Sequence, residues 1–311
     1  MRTIRSAIPV ALLCLCGLSA CSSTPQAAGA PDSAKGAARP PSAGSPAPAR
    51  SATPSHSAVP PSRRPASHPP VNYTPSWPDR TTRTDAGHLV DTCVPKSLRD
   101  KATTLTTSDG VHLSALELGD GPDGVLLDHE QGYNICSFLD IGKELASRGY
   151  RVVIPEYRNH GASEHVADNE HIDRDARAGL AELKRLGAER VFLGGASCGG
   201  TTAAVAGADG ELPVVGLLMM SSPARCGGVD AVAAVRKIDA PSLFAVSPGD
   251  MNGAVEKQVR EVYAASAATR KRLVVDRSGY HGTDMIRLGP HGGELRRDVI
   301  SFVVAAYDKA R

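Results

Sequence analysis

Short apolar runs alternate along the chain with longer stretches in which apolar residues recur every three or four positions. The runs GVLLD (124–128), RVVIP (151–155), RVFLG (190–194), VVGLLMMSS (214–222), SLFAVS (242–247) and RLVVD (272–276) have the length and composition of strands buried on both faces. Between them the helical period returns. Phe138, Ile141 and Leu145 share a face of a helix over 138–148 that Gly149 closes. Ala176, Leu180 and Leu183 share a face over 173–186, closed by Gly187. Further helices are predicted over 201–208, 254–265 and 295–307. Ahead of them, TTLTTSDGVHLSALELG reads as two strands around Asp109-Gly110, a hairpin signal. Strands alternating with helices after a hairpin predict an α/β fold, a mostly parallel sheet with helices on both faces.

This pattern does not extend to the start of the chain. In residues 1–20, Arg2 and Arg5 precede an apolar run from Ala7 to Leu18 that is too short to span a membrane as a helix. The run ends in Leu18-Ser19-Ala20-Cys21, which resembles a bacterial lipoprotein signal. That resemblance implies cleavage before Cys21 and a lipid carried on it. An ordinary secretory leader with an incidental cysteine is the competing reading. Residues 21–85 are dominated by Pro, Ala, Ser and Thr with scattered Arg. Such a stretch buries too little apolar surface to offset chain ordering, and it reads as a disordered tether. Order is expected to begin within TTRTDAGHLV (81–90), leaving 86–311 as one folded domain. The expected location is the outer face of the bacterial cell membrane, with the lipid anchor as the sole membrane contact.

Charge changes the picture little. Lys and Arg total 35 against 33 Asp and Glu, a net charge of +2, so no nucleic-acid partner is implied. Seven Tyr, four Phe and one Trp are few for an aromatic carbohydrate platform. Cysteine is more informative. Cys14 and Cys16 leave with the leader, while Cys93, Cys136, Cys198 and Cys226 remain in the folded domain. An even number outside the cytoplasm permits one or two disulfides. Cys136 and Cys226 each lie shortly beyond a strand end and are one candidate pair, with Cys93 as an alternative partner. No ligand spacing points to a metal, and no cofactor is expected.

In open α/β sheets, ligands meet the carboxyl ends of the strands. Polar stretches fall there in this chain: DHEQG (128–132), Ser197, Asp250 and His281. Gly195-Ala196-Ser197-Cys198-Gly199 is a G-x-S-x-G turn between a strand and a helix, followed by an Asp and then a His at later strand ends. In these features the chain resembles the α/β-hydrolase family over residues 103–308, and within it the small serine hydrolases around dienelactone hydrolase and bacterial carboxylesterases. The resemblance implies that Ser197 attacks an acyl carbonyl, that His281 moves the proton, and that Asp250 orients His281. It implies an oxyanion hole from the backbone N–H groups of Cys198 and Gln131. Asp284 competes with Asp250 as the acid, but is expected instead to cap the following helix. The Cys198 side chain is expected to pack beneath its helix; as a thiol beside Ser197 it also raises a cysteine-nucleophile reading.

Two stretches depart from the family. His129-Glu130 stands where His-Gly is usual, and Glu130 lacks the conformational freedom of glycine. Glu156-Tyr157-Arg158-Asn159-His160-Gly161-Ala162-Ser163 resembles Asp-x-Arg-Gly-His-Gly-x-Ser, with Glu156 and Asn159 replacing two usual residues and His160 read as structural. Fewer than twenty residues separate Ser222 from the strand at 242, which leaves no room for a large cap domain. An open cleft suits a small or extended soluble ester. Arg158, Arg225 and Arg277 lie near strand ends, as substrate-carboxylate contacts or as solvated loop residues. The expectation is a monomeric serine esterase acting on a small-molecule ester through an acyl-enzyme. The alternative is a non-catalytic envelope lipoprotein on the same scaffold, favoured by Glu130 and Asn159. A redox protein using Cys198 lacks a second cysteine at motif spacing.

Overall fold

The apolar runs become the strands of one sheet. The structure, a computed structural model, describes residues 80–167 and 170–309. The leader, Cys21 and most of the tether lie outside the described residues. In chain order the elements are β1 (Thr81–Arg83), β2 (Leu89–Asp91), β3 (Ala102–Thr106), β4 (His112–Leu118), β5 (Asp123–Asp128), α1 (Leu139–Ser147), β6 (Arg151–Pro155), α2 (Asp173–Arg185), β7 (Arg190–Ala196) and α3 (Cys198–Ala208). There follow β8 (Val214–Met220), β9 (Arg225–Cys226), β10 (Val229–Asp230), α4 (Ala231–Val235), β11 (Ser242–Val246), α5 (Ala254–Ala265), β12 (Lys271–Val275), α6 (Asp284–Arg287) and α7 (Gly292–Asp308).

The main sheet has eight strands in the order β12-β11-β8-β7-β5-β6-β4-β3. Only β4 runs against the rest, pairing antiparallel with β3 and β6. The Asp109-Gly110 turn joins β3 to β4, with Gly110 at φ 85°. Alternation within each strand feeds two cores, one per face. On β5, Leu126 joins the core that includes α2, α3 and α5, while Val125 and Leu127 join the one that includes α1 and α7. Helix α3 begins at Cys198, three residues earlier than the apolar spacing predicts, because the strand turns directly into it. The hairpin of β1 and β2 was not expected from the pattern. Between β8 and β11 the chain holds only the short β9/β10 hairpin and α4, so there is no large cap.

Long-range polar ties hold the loops at the carboxyl ends. Arg158 is buried, with Nη2 2.7 Å from Asp175 Oδ1 on α2 and Nη1 2.9 Å from Asp109 Oδ2 in the β3–β4 turn. It is thus neither a solvated residue nor a substrate contact, since its guanidinium is spent on two carboxylates. The hydrogen bond from Arg158 holds the Asp109 carboxyl well below its usual range, against the opposing effect of burial. Arg225 pairs with Asp230 at 2.9 Å and stays exposed.

Two disulfides close further loops: Cys93–Cys136 and Cys198–Cys226. The candidate pair of Cys136 with Cys226 is therefore not formed. Cys93, the alternative partner, takes Cys136, because β2 leads the chain back toward the loop after β5. Cys198 is cross-linked to β9, not simply packed beneath its helix.

Two outcomes follow for this architecture. Arg158→Ala strands Asp175 in a buried site without a cation and is expected to cost about 3–5 kcal/mol, read as a lowered urea midpoint. Non-reducing peptide mapping should recover the linked pairs Cys93/Cys136 and Cys198/Cys226; a Cys136/Cys226 peptide would contradict the fold.

Candidate functional site

Ser197 occupies the turn between β7 and α3 with φ 50° and ψ −128°, a conformation that L side chains rarely adopt. The glycines around it are dictated by contact. A Cβ at Gly195 would lie 2.4 Å from the Gly199 backbone. One at Gly199 would lie 2.2 Å from the Asp128 carbonyl oxygen, and one at Gly200 would lie 2.0 Å from Ser222 Oγ. The helix start therefore sits directly on the end of β5 and against the end of β8. The Ser197 N–H donates to the Met220 carbonyl at 2.8 Å, so the turn is tied to the neighbouring strand.

Strain is gathered at this edge. Among the described residues, the non-glycine positive-φ positions are Asn159, His171, Ser197, Ser221, Met251 and Asn252. Each lies in a segment that leaves the carboxyl end of a parallel strand, where strained backbone commonly marks function.

Asp250 and His281 meet across the ends of β11 and β12. His281 Nδ1 lies 2.8 Å from both carboxylate oxygens of Asp250, and both side chains are buried. With the Nδ1 proton donated to Asp250, the neutral ring presents its lone pair at Nε2. The loop carrying His281 lies against the Ser197 turn: a Cβ at Gly282 would sit 3.4 Å from Ala196 Cβ. Asp284 is engaged elsewhere. It accepts from the Tyr133 hydroxyl and pairs with Arg287 at 2.8 Å. Nor does it cap α6, whose N-cap is Thr283; Asp284 is the first residue inside the helix.

The expected oxyanion donors come from two elements. Cys198 opens α3, where a helix has N–H groups without intrahelical acceptors. Gln131, itself exposed, lies in the otherwise largely buried loop after β5, with Oε1 3.7 Å from Cys198 Sγ. Because that sulfur is bonded to Cys226, it carries no thiol, which removes the cysteine-nucleophile reading. The loop is built by two histidines, His129 buried and His160 half-buried. His129 Nδ1 donates to the Glu130 carbonyl at 2.8 Å, and Nε2 accepts from the Tyr157 N–H at 3.0 Å. Burial, reinforced by His160, lowers the His129 pKa to about 3, so this ring is neutral. His160 Nε2 accepts from the Gly132 N–H at 2.9 Å.

Both departures from the family pattern are absorbed. Asn159 adopts φ 66°, a conformation asparagine tolerates better than most side chains, where the family usually carries glycine. Glu156 Oε1 accepts from the Ile135 N–H at 3.0 Å and Oε2 from the Ala162 N–H at 2.6 Å. In the loop after β5, positive φ falls at Gly132 and not at Glu130. Sequence reasoning missed what Glu130 does: its side chain turns inward to the His281 loop, and Oε1 accepts from the Thr283 N–H at 3.0 Å and from the Thr283 hydroxyl. It also missed Ser247, whose Oγ accepts from the Gly279 N–H at 2.6 Å. The departure at Glu130 was visible in the sequence, but its partner was not, and nothing local marks Ser247, since each acts on a segment distant in the chain.

Comparison with known proteins agrees with this architecture. Residues 130–281 match the family described as alpha/beta hydrolase fold. No curated protein matches the chain by sequence. An esterase of Pyrococcus furiosus superposes with a TM-score of 0.58 at 19% identity, over 70% of this chain and 97% of that one. A monoacylglycerol lipase of Paleococcus ferrophilus gives 0.54 at 16%, over 62% and 99%. An esterase of Thermogutta terrifontis gives 0.52 at 16%, over 66% and 98%. From the β3–β4 hairpin to α7, this chain has the α/β-hydrolase fold.

Proposed function

We propose that the protein is a serine hydrolase that cleaves carboxylic esters of small or extended soluble substrates through an acyl-enzyme. The observation that carries this reading is the contact of His281 Nδ1 with both Asp250 oxygens at 2.8 Å, on a loop packed against the Ser197 turn. It gives a histidine held in the tautomer a base requires, beside a serine on a strained strand-to-helix turn. Solved structures with this fold that are named esterases and a monoacylglycerol lipase lend support.

In this reading Ser197 Oγ attacks the ester carbonyl while its proton passes to His281 Nε2. The oxyanion that forms accepts from the Cys198 and Gln131 N–H groups. Collapse breaks the carbon–oxygen bond to the alcohol, which leaves with the proton from His281. Water then attacks the acyl-enzyme, gives its proton to His281, and the acid departs as Ser197 regains a proton. Asp250 stabilises the imidazolium formed in each half. The disulfide at Cys198 fixes the helix start that supplies one oxyanion donor.

Export and a lipid anchor on Cys21 belong to the same proposal, with the monomer as the working state. Its support is the leader sequence together with two disulfides, which suit an oxidising compartment.

A fluorophosphonate probe is expected to label the wild-type protein and to leave Ser197→Ala unlabelled. Folded wild-type protein that never labels would count for the non-catalytic binding lipoprotein instead. Asp250→Asn should lower kcat on p-nitrophenyl acetate about 10³–10⁴-fold, as expected when the histidine loses its orienting carboxylate. Cys21→Ser should shift the protein from the membrane to the soluble fraction of cells; membrane retention would argue against the anchor.

A further inference from the structure

The residue that most departs from the family pattern at this site is also one that joins two of its loops. Glu130 stands beside Gln131 on the loop expected to supply an oxyanion donor, yet its side chain is fully buried and points away from solvent. Its Oε1 accepts from the Thr283 N–H at 3.0 Å and from the Thr283 hydroxyl, two residues beyond His281. The fit is close: a Cβ at Gly282 would lie 3.0 Å from Glu130 Oε1, so the histidine loop is held between this carboxyl and Ala196. The other end of the loop is pinned by the Gly279 N–H on Ser247 Oγ at 2.6 Å.

We propose that Glu130 is a positioning residue for His281, a buried side-chain acceptor that clamps the histidine loop to the oxyanion loop. It rests on the reading of His281 as the base. A glycine at 130, the usual residue in the family, has no side chain with which to make this tie. The chemistry explains why the tie matters. The proton acceptor and the oxyanion donors must converge on one carbonyl, and displacements of about 1 Å can cost 10²-fold in rate. In this chain the two groups sit on segments 150 residues apart in sequence (281 − 131 = 150), and the Glu130–Thr283 contact fixes one against the other. Ser247 fixes the loop to the sheet, whereas Glu130 fixes it to the opposite wall of the site. Glu130 Oε2 has no hydrogen-bond partner among the described residues, and burial raises the carboxyl pKa. The hydrogen bonds from Thr283 both reach Oε1, the oxygen through which the clamp works.

The test compares Glu130→Gln, Glu130→Ala and Glu130→Asp in the full-length protein. Gln keeps the acceptor, so its kcat on p-nitrophenyl acetate should stay within about threefold of wild type. Ala removes the acceptor and Asp withdraws it by one methylene. Both should lower kcat about 10- to 100-fold with KM changed by less than about threefold. Hydrogen exchange of the Thr283 amide gives a second measurement that does not depend on turnover. Protection should be lost in Ala and Asp and kept in Gln. If Ala fails to fold, Asp against Gln still decides. Wild-type kcat in Asp or Ala, a Gln variant as impaired as Asp, or unchanged exchange would each overturn the clamp. Wild-type protein that neither labels nor turns over would sink the hydrolase reading alone, and the exchange data would still judge the contact.

Discussion

The site depends on one contact made without side chains. The backbone at Gly199 lies so close to the end of β5 that a Cβ would come within 2.2 Å of the Asp128 carbonyl and 2.4 Å of the His129 carbonyl. That approach brings the first turn of α3 onto the loop bearing Glu130 and Gln131. It also leaves the chain no room to leave β7 gradually, so the reversal is made at Ser197 with φ 50°. The partial burial of the serine, the nearness of Cys198 to Gln131 on the facing loop, and the glycines on either side are consequences of the same packing. Glycine is required here because the neighbouring atoms are backbone and cannot swing aside.

Such a turn is unfavourable in isolation, at a cost of order 1–3 kcal/mol for each strained residue. The sheet carries it. Parallel pairing of β5, β7 and β8 fixes the strand ends, and the buried cores on the two faces hold the strands in register. The strained residues follow strands buried on both faces, where the framework can over-determine a poor local conformation. Cys198–Cys226 adds a covalent restraint on the helix start.

Around this edge the loops are held by polar groups from distant segments, most of them buried. Arg158 ties the loop after β6 to α2 and to the β3–β4 turn, His160 supports Gly132, and Glu130 and Ser247 grip the two ends of the histidine loop. Two departures that favoured a non-catalytic scaffold on sequence grounds therefore have structural work. Asn159 supplies a left-handed residue where glycine is usual, and Glu130 makes a contact glycine cannot make.

The strands and helices were legible in the chain because burial of one or both faces imposes a local period, and β5, β6, β7, β8, β11 and β12 fall on the apolar runs. The G-x-S-x-G turn was legible too, since the motif is contiguous between an apolar run and a helical stretch, although the contact that demands Gly199 is made with the distant end of β5, and the order of strand ends nominated Asp250 and His281. Pairing was not legible. Which cysteine meets Cys136 and which carboxylates meet Arg158 depend on how segments 17 to 49 residues apart are brought together. So does the reach of Glu130 to Thr283. No periodic pattern encodes those meetings. By itself the sequence determined the elements, the elbow and the candidate chemistry, because these follow from neighbours along the chain. Only the tertiary structure decided the partners, because hydrogen bonds and disulfides form between groups that the sheet order brings within a few ångströms.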